Sequence, residues 1–351
     1  MRKLLIAALA STLAFSAGLA QAGSVHRITG AGSTFAYPLY SAWADTYAKK
    51  TNVQLNYQSI GSGGGIKQIE AGTVDFGATD APLTKAQLKK QGLVQFPTAM
   101  GGVIPVINVP GVKPGNIVLS GKLLADIFLG KITNWNDPTI KRLNPNVKLP
   151  NLHITVVHRS DASGTNFIFT NYLAKVSAVW KKDVGVGKTV EWQAKGNVGG
   201  KGNPGVAAYV QRIKGAIGYN EYAYVLQTHM NYADMTNRAD NRVSPTARNF
   251  AAAAANADWV HAPGYYLMLT NQPGKNSWPI TGATFLLVHA QPKDPAKVKQ
   301  VLKFFAWAFK YGDATAARLD YIPMPGKVAK MIEKTWHKQI SSNGKPLWAT
   351  Q

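Results

Sequence analysis

The sequence has no cysteine in 351 residues. That removes disulfides, thiolate metal sites, iron–sulfur clusters and a cysteine nucleophile, and with them a lipid anchor on an N-terminal cysteine. Acidic residues are scarce: 17 Asp and Glu stand against 39 Lys and Arg, for a net charge of +22. Such an imbalance concerns solubility and partners rather than fold. Charged residues make up only 16% of the chain and apolar ones 46%, so neither a disordered chain nor a coiled coil fits, and a substantial core is expected. Enzyme signatures are missing too. No Gly-x-Ser-x-Gly elbow occurs, and the seven histidines form no His-Glu-x-x-His pair or other metal-ligand cluster. Lys188-Thr189 follows Gly185-Val186-Gly187, but Lys182 stands where a nucleotide-binding loop needs its first glycine.

What is present begins with an address. Arg2 and Lys3 precede the apolar run from Leu4 to Phe15, and the segment ends Ala20-Gln21-Ala22. A basic start, a short apolar centre and small residues at −3 and −1 predict a secretory signal, residues 1–22, cleaved after Ala22. Nothing later reads as a run of about 20 lipid-soluble residues, so the mature chain is expected to be exported, soluble and not lipidated. A chain of this length can build a core without disulfides in an oxidising compartment.

The mature chain has α/β grammar. His26-Arg27-Ile28-Thr29 starts a strand, and Gly30 to Thr34 follows as a small-residue turn. From Pro38, residues Leu39, Trp43 and Tyr47 recur at helical spacing. Val53, Leu55 and Tyr57 alternate as a strand that runs into Gly61-Ser62-Gly63-Gly64-Gly65, after which Ile66 and Ile69 begin a helix. Val74 to Ala78 is a short apolar segment leading to Thr79-Asp80-Ala81-Pro82. Further strands are expected at Val103–Val109, interrupted by Pro105, and at 154–158, 216–219 and 284–288. Residues 134–138 and 144–146 read as loops, and 183–206, with seven glycines, as a longer loop. Asp294 and Pro295 cap and start a helix with the stripe Val298, Val301, Leu302, Phe305 and Phe309. Residues from Lys345 onward look like a frayed tail. No fixed-period repeat and no compositional break marks a domain boundary.

Three donor-rich turns lie between an expected strand and an expected helix: Thr34 with the N–H that follows it, Ser62 among glycines, and Ser163-Gly164-Thr165. A helix start offers unpaired N–H groups and the positive end of the helix dipole, which suits an oxyanion. Arg159 leaves its strand four residues before Ser163, and its guanidinium can grip an oxyanion with two prongs. Asp161 is placed to hold that guanidinium. Each of these features has an ordinary explanation: Ser and Thr cap helices, glycines fill α/β loops, Arg159 makes a surface ion pair, and Asp80 is a solvated loop carboxylate.

The resemblance to a known family rests on longer stretches. These are Thr29-Gly30-Ala31-Gly32-Ser33-Thr34-Phe35, Ile60-Gly61-Ser62-Gly63-Gly64-Gly65-Ile66-Lys67-Gln68, Val74-Asp75-Phe76-Gly77-Ala78-Thr79-Asp80-Ala81-Pro82 and Arg159-Ser160-Asp161-Ala162-Ser163-Gly164-Thr165. Gly130-Lys131-Ile132 with Trp135-Asn136, Gly199-Gly200-Lys201-Gly202-Asn203, Gly215-Ala216-Ile217-Gly218-Tyr219 and Trp278-Pro279-Ile280 extend it over essentially the whole mature chain. In these motifs the chain resembles the periplasmic phosphate-binding proteins of bacterial phosphate-specific ABC transporters. The resemblance implies an α/β, two-lobed binding-protein fold with a central ligand cleft and two interlobe crossings. It places residues 25–105 with 280–351 in lobe I and 106–279 in lobe II. It also implies a buried phosphate held by Thr34, the Phe35 N–H, Ser62, Asp80, Arg159, Ser163, Gly164 and Thr165, with Asp161 supporting the arginine. The expected protein is a periplasmic monomer that binds inorganic phosphate without cofactor or metal, is no enzyme, and delivers its ligand to the transporter's membrane permease subunits.

Asp80 suggests which anion. A carboxylate facing an anion makes sense where the ligand brings a proton for it to accept, as hydrogen phosphate and dihydrogen phosphate do and sulfate at neutral pH does not. Arsenate shares the protonation pattern of phosphate. Two other classes are weaker. Phosphate-ester hydrolysis lacks a nucleophile, base and orienting group, and nucleic-acid binding lacks a basic stripe interleaved with aromatics. Attachment to acidic envelope surfaces through lysine patches such as Lys49-Lys50 and Lys181-Lys182 remains a secondary reading of the charge.

Overall fold

Strand, turn and helix alternate from the first residues described by the computed structural model, which covers 26–349; the export segment, 1–22, lies outside the described residues. β1 (Arg27–Gly32) is followed by α1 (Tyr37–Thr51), β2 (Gln54–Ser59), α2 (Ser62–Glu70) and β3 (Phe76–Thr79). β1 pairs in parallel with β2 on one side and β3 on the other. Pro38 falls in the first turn of α1, and Leu39, Tyr40, Trp43 and Tyr47 form its buried face. Asn52 ends the helix in a left-handed conformation.

β4 (Leu93–Ile107) joins the two halves of the molecule. Its 15 residues are all buried. Leu93–Gly102 pairs antiparallel with β8 (Thr281–His289), and Val103–Ile107 pairs antiparallel with β7 (Ala216–Glu221). With β5 (Thr155–Arg159) and β6 (Val198–Gly200), the main sheet runs β2-β1-β3-β8-β4-β7-β5-β6. The result is an α/β fold of two lobes, with one strand shared between them. The sequence reading began this strand ten residues too late and broke it at Pro105. In the fold the strand continues through Pro105, whose carbonyl accepts the Ala233 N–H at 3.0 Å. Pro97 lies beside a bulge, where the partner register skips from Ala99 to Pro97, and a missing N–H is tolerated there.

Other expectations need correction. The loops expected at 134–138 and 144–146 flank a short helix, Pro138–Leu143, that the sequence reading did not name, with the Asp137 carboxylate accepting the Thr139 N–H at 2.7 Å. The glycine-rich stretch ends in order: β6 pairs in parallel with β5, and α4 (Gly202–Arg212) follows it at once; α3 (Gly164–Val176) precedes the stretch. The tail from Lys345 is not frayed. Lys345–Pro346 pairs with Ser341–Ser342, and the Trp348 ring meets Trp336 edge-on at 5.1 Å. Trp336 sits on α6 (Gly326–Gln339), a helix the sequence reading did not anticipate. α5 (Pro295–Tyr311) buries Val298, Val301, Leu302 and Phe305 as its stripe predicts, with the Asp294 side chain capping it.

Aromatic packing behind the cleft ties these elements together. Phe305 of α5 meets Tyr40 of α1 at 5.4 Å and Phe76 of β3 at 5.7 Å, both edge-on, while Tyr57 of β2 stacks on Phe76 at 6.0 Å. Such pairs contribute about 0.5–1.5 kcal/mol each beyond the area they bury, and they fix the strand ends that carry the site. In the other half Phe169 stacks on Tyr219 at 4.1 Å, behind β5 and the start of α3.

Candidate functional site

The three donor-rich turns converge. Thr34, Phe35, Ser62, Asp80, Arg159, Ser163 and Thr165 are each 4% exposed or less, and Gly164 is buried with them. β1, α2 and β3 bring Thr34, Phe35, Ser62 and Asp80 to one wall. β5 ends at Arg159, and α3 begins at Gly164, on the opposite wall. The walls touch. The Gly63 N–H donates to the Ala162 carbonyl at 2.8 Å, and a Cβ on Gly164 would lie 2.4 Å from Ser62 Oγ and 2.5 Å from Asp80 Oδ2. Only glycine permits that approach at Gly164. The same reasoning explains α2, which opens Ser62-Gly63-Gly64-Gly65 although glycine weakens a helix by about 1 kcal/mol against alanine. A Cβ on Gly63 would meet the Ala162 methyl at 2.4 Å, and one on Gly65 the Ala31 carbonyl oxygen at 2.5 Å.

The two acidic groups of the site sit in opposite environments. Burial pushes the Asp80 carboxyl up to about 6, against the pull of hydrogen bonds from Ser33, Thr284 and Ser62 and of the Arg159 charge. Ser33 Oγ donates to Asp80 Oδ1 at 2.5 Å, and Ser62 Oγ accepts the Asp80 N–H at 3.1 Å. Partial burial also opposes the charge on Asp161, but the Arg159 guanidinium outweighs it and holds that carboxyl below its ordinary value. Arg159 donates through Nε to Asp161 Oδ1 at 2.8 Å and through Nη2 to Oδ2 at 2.6 Å. Its Nη1 is buried and hydrogen-bonds to no protein atom among the described residues. Asp161 thus forks the Arg159 guanidinium and leaves Nη1 outside the pair.

The donors are oriented one by one. Ser163 Oγ accepts the Asn166 N–H at 3.0 Å, and the Ser163 N–H donates to the Lys188 carbonyl at 2.9 Å, so the hydroxyl proton is the donor that Ser163 retains. The N–H groups of Gly164 and Thr165 belong to the first turn of α3, which has no intrahelical acceptor for them. Tyr321 Oη donates to the Phe35 carbonyl at 2.6 Å and Tyr224 Oη to the Thr34 carbonyl at 2.9 Å, fixing the peptide units beside Thr34 and Phe35.

Four residues were missed by sequence reasoning. Ser33 holds Asp80, Tyr224 and Tyr321 hold the Thr34–Phe35 backbone, and Asn203 reaches Thr34 and Thr165. Only Ser33 and Asn203 lie in stretches that the sequence singled out. Glu221, at the end of β7, is 1% exposed, and burial pushes its carboxyl up to about 8, opposed by the Ala223 N–H and Tyr321.

Known proteins resemble the chain in sequence and in fold. The family model described as a PBP superfamily domain matches residues 17–310. The phosphate-binding protein PstS of Pasteurella multocida is 50% identical over 348 residues, covering 99% of both chains. PstS of Xylella fastidiosa strain Temecula1 is 53% identical over 314 residues, covering 90% of this chain and 86% of its own. A solved high-affinity periplasmic phosphate-binding protein, PfluDING, superposes with a TM-score of 0.72 at 21% identity, covering 91% of this chain and 96% of that one, a likeness of fold. The chain belongs to the PstS family of phosphate-binding proteins within the PBP superfamily.

Proposed function

We propose that this protein captures inorganic phosphate in the cleft between its lobes and delivers it to the membrane subunits of an ABC transporter. The observation that carries the reading is the meeting of a buried arginine, a buried carboxylate and three helix-start or turn donors from distant parts of the chain. Arg159 supplies charge, with Asp161 locking the guanidinium plane and Nη1 left for the ligand. Thr34, Ser62, Ser163 and Thr165 supply hydroxyls, and Phe35, Gly164 and Thr165 supply N–H groups. Asp80 accepts the ligand's own proton. With its carboxyl at about 6 it is mostly ionised at pH 7 and able to do so.

Sulfate would leave that buried carboxylate against an oxygen lone pair, and rejection by an unpaired buried group reaches about 10⁴- to 10⁵-fold. No covalent step is involved. In this reading lobe I comprises 25–105 with 280–351 and lobe II 106–279, and closure of the lobes buries the ion. The protein acts as an exported monomer in the periplasm, with residues 1–22 as its signal.

The test is calorimetric titration of phosphate into ligand-stripped protein at pH 7, repeated in excess sulfate. Tight one-to-one binding that survives sulfate is the expected result. Equal competition by sulfate overturns the selectivity mechanism, and no binding by folded protein overturns the transport reading.

A further inference from the structure

Asn203 belongs to none of the three turns, yet it is fully buried between them. It is the second residue of α4, on the wall opposite Thr34. Its side-chain Nδ2 lies 2.9 Å from Thr34 Oγ1 and 3.4 Å from Thr165 Oγ1. Its backbone N–H also meets Thr34 Oγ1, at 3.3 Å. A backbone N–H can only donate, so the Thr34 hydroxyl is an acceptor here whichever way the amide is turned. A hydroxyl has one proton and two lone pairs. Once Thr34 Oγ1 accepts from Asn203, its proton is free to point elsewhere, and the same holds for Thr165.

We propose that Asn203 is a positioning residue that sets both threonine hydroxyls as donors toward the anion and latches the two walls together while doing so. The inference rests on the phosphate reading above. Asn203 is held for this task from behind. Asn220 Nδ2 donates to the Asn203 carbonyl at 2.9 Å, and the neighbouring Gly202 N–H donates to Asp161 Oδ1 at 2.9 Å. Asp161 is the carboxylate that grips Arg159, so a continuous chain of hydrogen bonds runs from the arginine through Asp161 and the start of α4 to Thr34. The guanidinium and the hydroxyl donors are thereby placed as one unit. Asn203 Oδ1 is buried and has no protein partner among the described residues, so the amide's role in the closed protein comes from its donor end.

The chemistry makes an ordering prediction that simple packing does not. Asn203→Ala removes the donors but leaves the hydroxyls free to rotate. Asn203→Asp is nearly isosteric, yet a carboxylate accepts the two hydroxyl protons and turns both groups away from the anion. Packing alone would rank Asp above Ala; hydroxyl orientation ranks Ala above Asp.

The experiment measures phosphate association and dissociation by stopped flow for the parent, Asn203→Ala, Asn203→Asp, Thr34→Val and the Thr34→Val/Asn203→Ala pair, with melting curves of the ligand-free proteins. Asn203→Ala is expected to weaken phosphate binding by roughly ten- to a hundredfold, mostly through faster dissociation. Asn203→Asp is expected to be weaker again by at least about tenfold. The double variant is expected to lose less than the product of the two single losses, since the amide acts in part through the Thr34 hydroxyl. Fully additive losses, or Asp tolerated better than Ala, overturn the proposal. If Asn203→Asp does not fold, the Thr34 coupling decides alone. A parent that binds no phosphate overturns the transport reading instead, whereas a binding parent with an unaffected Asn203→Ala overturns only the role of Asn203.

Discussion

Asp80 and Asp161 are two carboxylates in one cleft, on opposite walls, and they are driven in opposite directions. Asp80 is 1% exposed, with hydroxyl neighbours, and burial pushes it up to about 6. Asp161 is only partly buried and spans the Arg159 guanidinium at 2.8 and 2.6 Å, which holds it down. The difference separates two jobs that one residue type can do. A carboxylate locked to a cation organises charge and keeps no acceptor for a ligand proton. A carboxylate held by hydroxyls alone keeps its acceptor character and can inspect the ligand for a proton. In the proposed function the cation that grips the anion lies on one wall and the carboxylate that selects it on the other, with hydroxyl and N–H donors on both.

Breaking the comparison on the charged wall should have the largest effect. Arg159→Met removes the buried cation of the proposed site and leaves the Asp161 charge without its counter-ion, so phosphate affinity by calorimetry is expected to fall by at least about 10³-fold. Retention of affinity within tenfold would move the site elsewhere. Asp161→Asn keeps the arginine but loosens its fork, and a loss of about ten- to a hundredfold is expected, with selectivity over sulfate unchanged. A change of selectivity in that variant would dissolve the division between the walls.

A third carboxyl sharpens the contrast through stability. Burial raises the Glu221 carboxyl from 4.5 to about 8. A group with a raised native value contributes stability below its unfolded value that is lost as pH rises through the native one. The ligand-free protein is therefore expected to lose stability on the order of 3 kcal/mol between about pH 5 and 9, followed by chemical denaturation. Glu221→Gln should flatten that slope. An unchanged slope would place the titration elsewhere.

How much of this was legible in the sequence differs between elements. The strand–turn–helix order of the first half was readable because each helix stripe and each alternating strand carries its own period. β4 was not, because Pro97, Gly101, Gly102 and Pro105 look like breakers, and the bulge that accommodates Pro97 is made by a partner strand nearly 190 residues away. The chain end was misread because Trp348 packs on Trp336 of a helix whose amphipathic stripe had gone unnoticed. In the site, Thr34, Ser62 and Ser163-Gly164-Thr165 stood out as donor-rich turns and Arg159 by its place just before one of them, whereas Asp80 and Phe35 were named as site residues only through the family resemblance. Asn203, Tyr224, Tyr321 and Glu221 act through contacts that join remote segments, and neither composition nor spacing reports those.

The most direct test of the division between walls is a titration of sulfate and phosphate into Asp80→Asn and the parent at pH 7. An asparagine can donate to sulfate where the carboxylate repels it. Sulfate binding is expected to strengthen by about a thousandfold or more in the variant while the phosphate-to-sulfate ratio collapses. In the parent, lowering the pH from 7 to 5 carries Asp80 through its value of about 6 and is expected to erode sulfate rejection in the same direction. If Asp80→Asn binds sulfate no better than the parent, the buried carboxylate is not what tells the two ions apart.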